Sequence, residues 1–428
     1  MVDVKHLRGI PVEQLRYGLY VVEPDRPWTE IPLMFQGFEI STDEELEVLR
    51  SYCEQVYVDP DRCSADALEA LDRPAADQEV GLSTPRPETD TANAFGNERY
   101  PDTARFERLL RRAWESRAQT RRFVEAVFQG LDGGDFPDVR EGRVAVADLL
   151  QTVAGNPGAA VWLSNLDERD APTSVHSINV CILALTFGAH LGLEREELER
   201  IGLGALLHDT GKLFMPPAIR DKTDALTDAE WDIARRHPQD GYDILLEKGE
   251  FPSEVLDIVR LHHERLDGSG YPSGRAGVEL PLHVRVVALA NAYDSLTSER
   301  PYRAAMAADK ALQQLYNGAG GTFGDRLVQE FIRCVGIYPA GSLVELDNGA
   351  AGVVLGSRPD ARIQPTVLLV RTPDGEYYRK RVVLNLAAEV GSEGPAPARH
   401  IRRALNPSEE DIDVAGIVAI EFGLDAAG

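Results

Sequence analysis

Hydrophobic and polar positions follow three successive patterns along the chain. Near the start, short apolar runs (Leu19 to Val22, Gln55 to Val58) flank an amphipathic stretch, Asp43 to Tyr52. Together they predict a small α/β module over residues 1–73. Residues 74–102 are rich in Pro, Asp, Thr and Asn without apolar periodicity, the pattern of a mobile linker. From Thr103 the period becomes helical: Phe106, Leu109, Leu110 and Ala113 recur at i, i+3, i+4 and i+7. Leu193 to His208, Glu254 to His263 and Val284 to Leu296 read the same way, with Pro and Gly between them. An all-helical domain over 103–338 is expected. After Tyr338-Pro339 the period drops to two. Asn348-Gly349 and Asp374-Gly375 mark two hairpins of a small β domain over 339–392. Residues 393–428, Pro- and acid-rich, read as a partly ordered tail.

Composition narrows the class. Hydrophobic residues make up 43% and charged residues 27%, as in a globular protein. No run approaches the roughly 20 apolar residues of a membrane span. The first residues lack the apolar core of a secretory signal, and Cys53, Cys63, Cys181 and Cys334 form no CxxC pair. The cytoplasm is therefore the expected compartment, and no membrane partner is expected. A net charge of -25 argues against a nucleic-acid polymer as partner, because counterion release needs a basic surface. A small phosphate ligand held by metals and a few local cations remains compatible.

The chemistry concentrates in the helical region. His176, the pair His208-Asp209, His237 and the pair His262-His263 fall on separate predicted helices. Five histidines with an adjacent carboxylate are hard to explain as packing, whereas helices converging imidazoles and carboxylates on one buried point build metal centres. His208 and Asp209 diverge by about 100° on a helix, so they can serve two neighbouring ions, and a carboxylate can bridge. Nitrogen and oxygen donors without thiolate favour Fe, Mn, Zn or similar ions.

His208-Asp209, the run His-His-Glu-Arg-Leu-Asp-Gly-Ser-Gly-Tyr-Pro at 262–272 and Arg-Pro-Tyr-Arg at 300–303 resemble the HD-GYP family, within the wider HD phosphohydrolases. The resemblance covers about Asp170 to Arg303. It implies a mainly α fold: a helical HD-type metal-binding bundle, carrying here a small α/β module before it and a β appendage after it. It implies a phosphodiesterase that hydrolyses cyclic di-GMP to pGpG or onward to GMP, with two divalent transition-metal ions, Fe or Mn. His176 and His208 would hold one ion and His237, His262 and His263 the other, with Asp209 bridging. Asp209 and Lys212 would be the catalytic groups. Lys212, Tyr271, Arg300 and Arg303 match positions that contact the cyclic dinucleotide, and Glu264 would support rather than ligate. The N-terminal run from Ile10 to Val21 is similar to a small domain often found before HD-GYP domains.

Two positions depart from the pattern. The three-metal members of the family carry a glutamate where Pro172 stands, which favours two ions. Asn291 occupies the place of the last metal-binding aspartate, so a ligand there would be neutral. Asp294, one turn on, is left between three roles: a compensating ligand, a buttress of the Arg-Pro-Tyr-Arg turn, or a contact to the substrate. Other readings stay open beside the phosphodiesterase. One is a cyclic di-GMP sensor or interaction module with weak or no turnover. Another is a different HD-superfamily nucleotide phosphohydrolase, which would leave His237 and the His262-His263 pair unused. A homodimer or a signalling protein as partner is also open.

Overall fold

The computed structural model describes residues 7–25, 38–40, 43–71, 103–131, 136–155, 157–164, 172–274, 280–298, 305–358, 361–387, 400–410 and 412–422. The linker expected at 74–102 lies outside the described residues. The chain divides into two compact units, Met1–Asp90 and Thr91–Gly428.

The first unit holds strands β1 (Arg8–Pro11), β2 (Tyr20–Pro24) and β3 (Phe38–Glu39), helix α1 (Asp43–Tyr52), strand β4 (Gln55–Val58) and helix α2 (Ala65–Leu71). The sheet is antiparallel in the order β1-β4-β2-β3. Ile10, Val21, Val56 and Val58 are buried in this unit, because alternate residues of each strand point to one face, and Leu19 just before β2 and Leu49 on α1 are buried as well.

The second unit is mainly helical. It begins with α3 (Thr103–Leu131), α4 (Val139–Gly155), α5 (Pro157–Ser164), α6 (Pro172–His190) and α7 (Arg195–Leu207). The short α8 (Pro217–Arg220) and α9 (Asp228–Ala234) lead to α10 (His237–Lys248), α11 (Ser253–Leu261) and α12 (Leu282–Thr297). Helices α13 (Ala308–Asn317), α14 (Ala319–Thr322) and α15 (Asp325–Val335) complete the helical part. α6 packs against α5, α7 and α12, and α11 packs against both α7 and α10. Val175, Ile178, Cys181, Ile182 and Leu185 on α6, and Val284, Val287, Leu289 and Ala290 on α12, are all buried. A helix apolar on nearly every side belongs at the centre of a bundle. Any polar side chain on such a helix needs a buried partner, since leaving it unpaired costs about 1–3 kcal/mol.

The β part contains β5 (Leu343–Leu346), β6 (Ala351–Arg358), β7 (Ala361–Arg371), β8 (Tyr377–Asn385) and β9 (Ile401–Leu405), in the order β8-β7-β6-β5-β9. β5 and β6 pair across Asn348-Gly349, and β7 and β8 across Asp374-Gly375. The fifth strand comes from the stretch read as tail: β9 pairs antiparallel with β5, matching Leu343 with Leu405. Its Ile401 joins the core of Val344, Leu346, Val354 and Val367. Short helices α16 (Pro407–Glu410) and α17 (Val414–Phe422) follow. Among the described residues, no helix is long and apolar enough to cross a membrane.

Candidate metal centre

Helix ends bring the histidines together. His208 follows the last residue of α7, and its Nδ1 lies 2.8 Å from the Ala205 carbonyl. His237 opens α10, with Nδ1 2.8 Å from the Ala234 carbonyl at the end of α9. His262 closes α11, with Nδ1 2.9 Å from the Val259 carbonyl. In each case the acceptor is a carbonyl at the end of a helix, where the next turn that would have bonded it is missing. A carbonyl can only accept, so Nδ1 must donate and a neutral ring turns the lone pair of Nε2 inward. His176, near the start of α6, reaches the same state differently: its Nδ1 lies 2.5 Å from Asp294 Oδ2 on α12.

All four Nε2 atoms face Asp209, which is 1% exposed. Oδ2 of Asp209 lies 3.4 Å from His208 Nε2 and 3.6 Å from His176 Nε2. Oδ1 lies 3.4 Å from His237 Nε2 and 3.8 Å from His262 Nε2. The ligand atoms thus form two groups sharing Asp209: His176 and His208 on one side, and His237, His262 and His263 on the other. Neither Asp209 Oδ1 nor His208 Nε2 has a hydrogen-bond partner, although both are buried. The Nε2 atoms of His237 and His262 also face each other at 3.3 Å. Lone pairs converging on a buried carboxylate repel unless a cation lies among them, so the donor set fits divalent ions.

The electrostatics agree. Burial pushes the His208 imidazolium pKa down to about 4 and holds His262 and His263 well below the usual histidine range. Burial opposes ionisation of Asp209, but His208, Lys212 and His237 around it hold its carboxyl well below the usual carboxylate value. Neutral imidazoles around an ionised carboxylate are the protonation states that metal ligation requires.

Close backbone approach lets these helix ends meet. A Cβ on Gly211 would stand 1.9 Å from the His237 carbonyl oxygen, so only glycine allows α10 to lie against the turn after Asp209. Gly270 has the same role in the loop after His263, where a Cβ would stand 2.4 Å from the His263 carbonyl oxygen. Glu264 is buried and accepts from the amides of Ser273 and Gly274, which ties down the far end of that loop. Tyr271 then stacks on His263, with ring centroids 4.5 Å apart and planes at 22°.

The remaining expected residues fall in different places. Lys212 Nζ lies 2.5 Å from Asp209 Oδ2, so its charge rests on the shared carboxylate. Asp294, left between ligand, buttress and substrate contact, is 1% exposed and engaged by His176. A carboxylate so covered acts on the imidazole and does not reach into the site. Asn291, a turn before it on α12, is buried, and its Oδ1 accepts from Ser295 Oγ at 3.4 Å. Arg300 and Arg303 lie outside the described residues. Sequence reasoning missed the carbonyls that orient His208, His237 and His262. No residue type signals them, because a backbone carbonyl is the same whatever side chain it carries.

Comparison with known proteins matches residues 160–327 to the HD domain family and residues 7–141 to a domain of unknown function. The chain is 33% identical over 363 residues to the cyclic di-GMP phosphodiesterase PA4108 of Pseudomonas aeruginosa, covering 84% of each protein. It is 38% identical over 169 residues to the cyclic di-GMP phosphodiesterase response regulator RpfG of Xanthomonas campestris, covering 39% of this chain and 45% of that one. It is 37% identical over 147 residues to the 3'3'-cGAMP-specific phosphodiesterase 3 of Vibrio cholerae, covering 34% of this chain and 32% of that one. With the histidine and aspartate cluster inside the matched HD domain and the Gly-Tyr-Pro loop folded over it, the chain belongs to the HD-GYP family of phosphodiesterases.

Proposed function

We propose that this chain hydrolyses cyclic di-GMP to pGpG, or onward to GMP, at a centre of two divalent transition-metal ions, iron or manganese. The observation that carries the reading is the division of the two Asp209 oxygens between two groups of histidine Nε2 atoms. His176 and His208 would hold one ion, and His237, His262 and His263 the other, with Asp209 shared. When bound, such a pair supplies an acidified water and neutralises the leaving oxygen of a phosphodiester.

The chain's own side chains would do the rest. Asp294 holds the proton of His176 on Nδ1 and so keeps Nε2 available as a donor atom. Lys212, 2.5 Å from Asp209, sits where its ammonium can turn to a phosphate oxygen as negative charge develops there. Tyr271 offers a ring beside His263, and Arg300 and Arg303 would add planar cationic contacts to the dinucleotide. Binding a dianion with so acidic a chain requires such local cations.

A specific observation also favours a second reading. Asn291 is buried where the family has an aspartate, so the His176 side could hold its ion too weakly for turnover and leave a cyclic di-GMP sensor. One experiment separates the two: metal analysis and product formation from cyclic di-GMP with protein purified anaerobically and iron-replete. Two ions per chain with a linear product are expected. Metal and tight binding without hydrolysis would establish the sensor, and no metal after supplementation would end both readings.

A further inference from the structure

A cavity of about 520 Å³ opens beside the histidine cluster, with Gly211 and His237 in its wall. Phe214, Ile233 and Ile244 give it apolar surface, and Arg236 and Asp240 give it polar groups. Its size is that of a pocket for a small organic ligand. Phe214 is 47% exposed and Ile233 40% exposed, so two large apolar side chains stand open at the edge of a polar centre. On α10, His237 and Asp240 are three residues apart and share a face. Arg236 approaches Asp240 only to 3.7 Å, and its side chain is 72% exposed. Such a loose surface pair is worth little and leaves the carboxylate available.

The geometry points to this cavity as the pocket for one guanine base, with Asp240 reading the edge of that base; the assignment rests on the cyclic di-GMP reading above. A purine lying against Phe214 and Ile233 would bury its faces on apolar surface. Guanine carries two donors side by side, N1–H and N2–H, which match the two oxygens of a carboxylate as a bidentate pair. Adenine offers a lone pair at N1 and a carbon-bound hydrogen beside it. The same carboxylate would then meet repulsion and one unmade hydrogen bond, which is how a polar pocket rejects an analogue. The arrangement also accounts for acidic groups beside a site for an anion. The phosphates would stay with the metal centre and Lys212, and only the neutral, donor-rich base edge would reach Asp240.

Calorimetry on the metal-loaded full chain tests the pocket with cyclic di-GMP and cyclic di-AMP, which share phosphates and differ in bases. The wild type should prefer cyclic di-GMP. Asp240→Asn should weaken cyclic di-GMP binding roughly ten- to hundredfold, the worth of a bidentate contact to a base. It should leave metal content unchanged and strengthen cyclic di-AMP binding, because the repulsion of adenine N1 is removed, so the preference shrinks. Phe214→Ala should weaken both ligands alike, because stacking does not read the edge. A wild type without preference, or an Asp240→Asn chain that keeps it, overturns the pocket. Turnover, measured separately, judges the other reading: a wild type that prefers cyclic di-GMP without hydrolysing it upholds the pocket and removes the phosphodiesterase.

Discussion

Three imidazoles of the candidate metal centre are oriented by a helix end close to them in sequence, and one is oriented by a helix far along the chain. His208, His237 and His262 each donate to a backbone carbonyl three residues earlier. His176 instead relies on Asp294, 118 residues away on α12. The two kinds of support differ in what can disturb them. A backbone carbonyl is present whatever the side chain, so mutation hardly touches it. A carboxylate can be removed by one substitution, and it carries a charge that strengthens the histidine as a donor. The His176 side is therefore the adjustable half of the centre. Asn291, which the resemblance to the family sets in the place of a metal-binding aspartate, lies a turn before Asp294 on α12.

The largest effect should come from the residue both halves share. Asp209→Ala removes the only carboxylate within reach of all four Nε2 atoms among the described residues. Both ions should be lost together and hydrolysis of cyclic di-GMP should fall to background, as read by metal analysis and product chromatography. Loss of a single ion would mean that the halves are independent and that Asp209 does not bridge.

Next comes the supporting carboxylate. Asp294→Ala should lower affinity for the ion on the His176 side by about 10–100-fold, the usual cost of removing a histidine's carboxylate partner. The ion of His237, His262 and His263 should remain. Asp294→Asn keeps an oxygen that accepts from Nδ1 but loses the charge, so its effect should be smaller. If both variants keep two ions and lose only thermal stability, Asp294 is a structural residue and the comparison fails.

The metal-free protein gives a third test, through pH. Burial lowers the His208 pKa to about 4 in the folded chain, against roughly 6.5 unfolded. Between those values the unfolded state binds the proton and the folded state does not, so stability rises with pH through the window. It is fully present above about pH 6.5 and is lost as pH falls toward 4, by up to about 3 kcal/mol from this group. Thermal melts of the stripped chain should show that loss, and His208→Gln should make it shallower, with His262 and His263 still contributing in the same direction. An unchanged slope in the variant would show that some other group governs the acid limb.

Much of this was legible in the sequence because it is local. The amphipathic period placed α1, α7, α11 and α12, and the motif residues named all six members of the histidine and aspartate cluster. The unread parts depend on distant contacts. Asp294 was left between ligand, buttress and substrate contact because nothing near it in sequence shows that α6 lies against α12 and brings His176 to it. Strand β9 went unread because Ile-Arg-Arg-Ala-Leu is short, irregular in its alternation and surrounded by proline and charge. It becomes a strand only by pairing with β5.

The smallest expected effect is also the sharpest probe of the adjustable half. Asn291 is buried one turn before Asp294 on the same face of α12, and Ser295 Oγ is its partner. Asn291→Asp adds one negative charge at nearly constant volume. Without metal, that charge would sit unpaired in a buried place one turn from the Asp294 carboxylate, which disfavours the folded state. With an ion on the His176 side it would become a ligand, or a close counter-charge, and tighten binding. The two consequences have opposite signs. The variant should therefore melt lower than wild type after chelation and equal to or higher than wild type when metal-loaded, with a several-fold lower metal requirement. Turnover should rise in step if weak occupancy limits the wild type. A variant that melts lower in both states, with the same metal titration curve as wild type, would place Asn291 outside the reach of the ion. The neutral residue would then be a packing substitution, and the division between the two halves would rest on Asp294 alone.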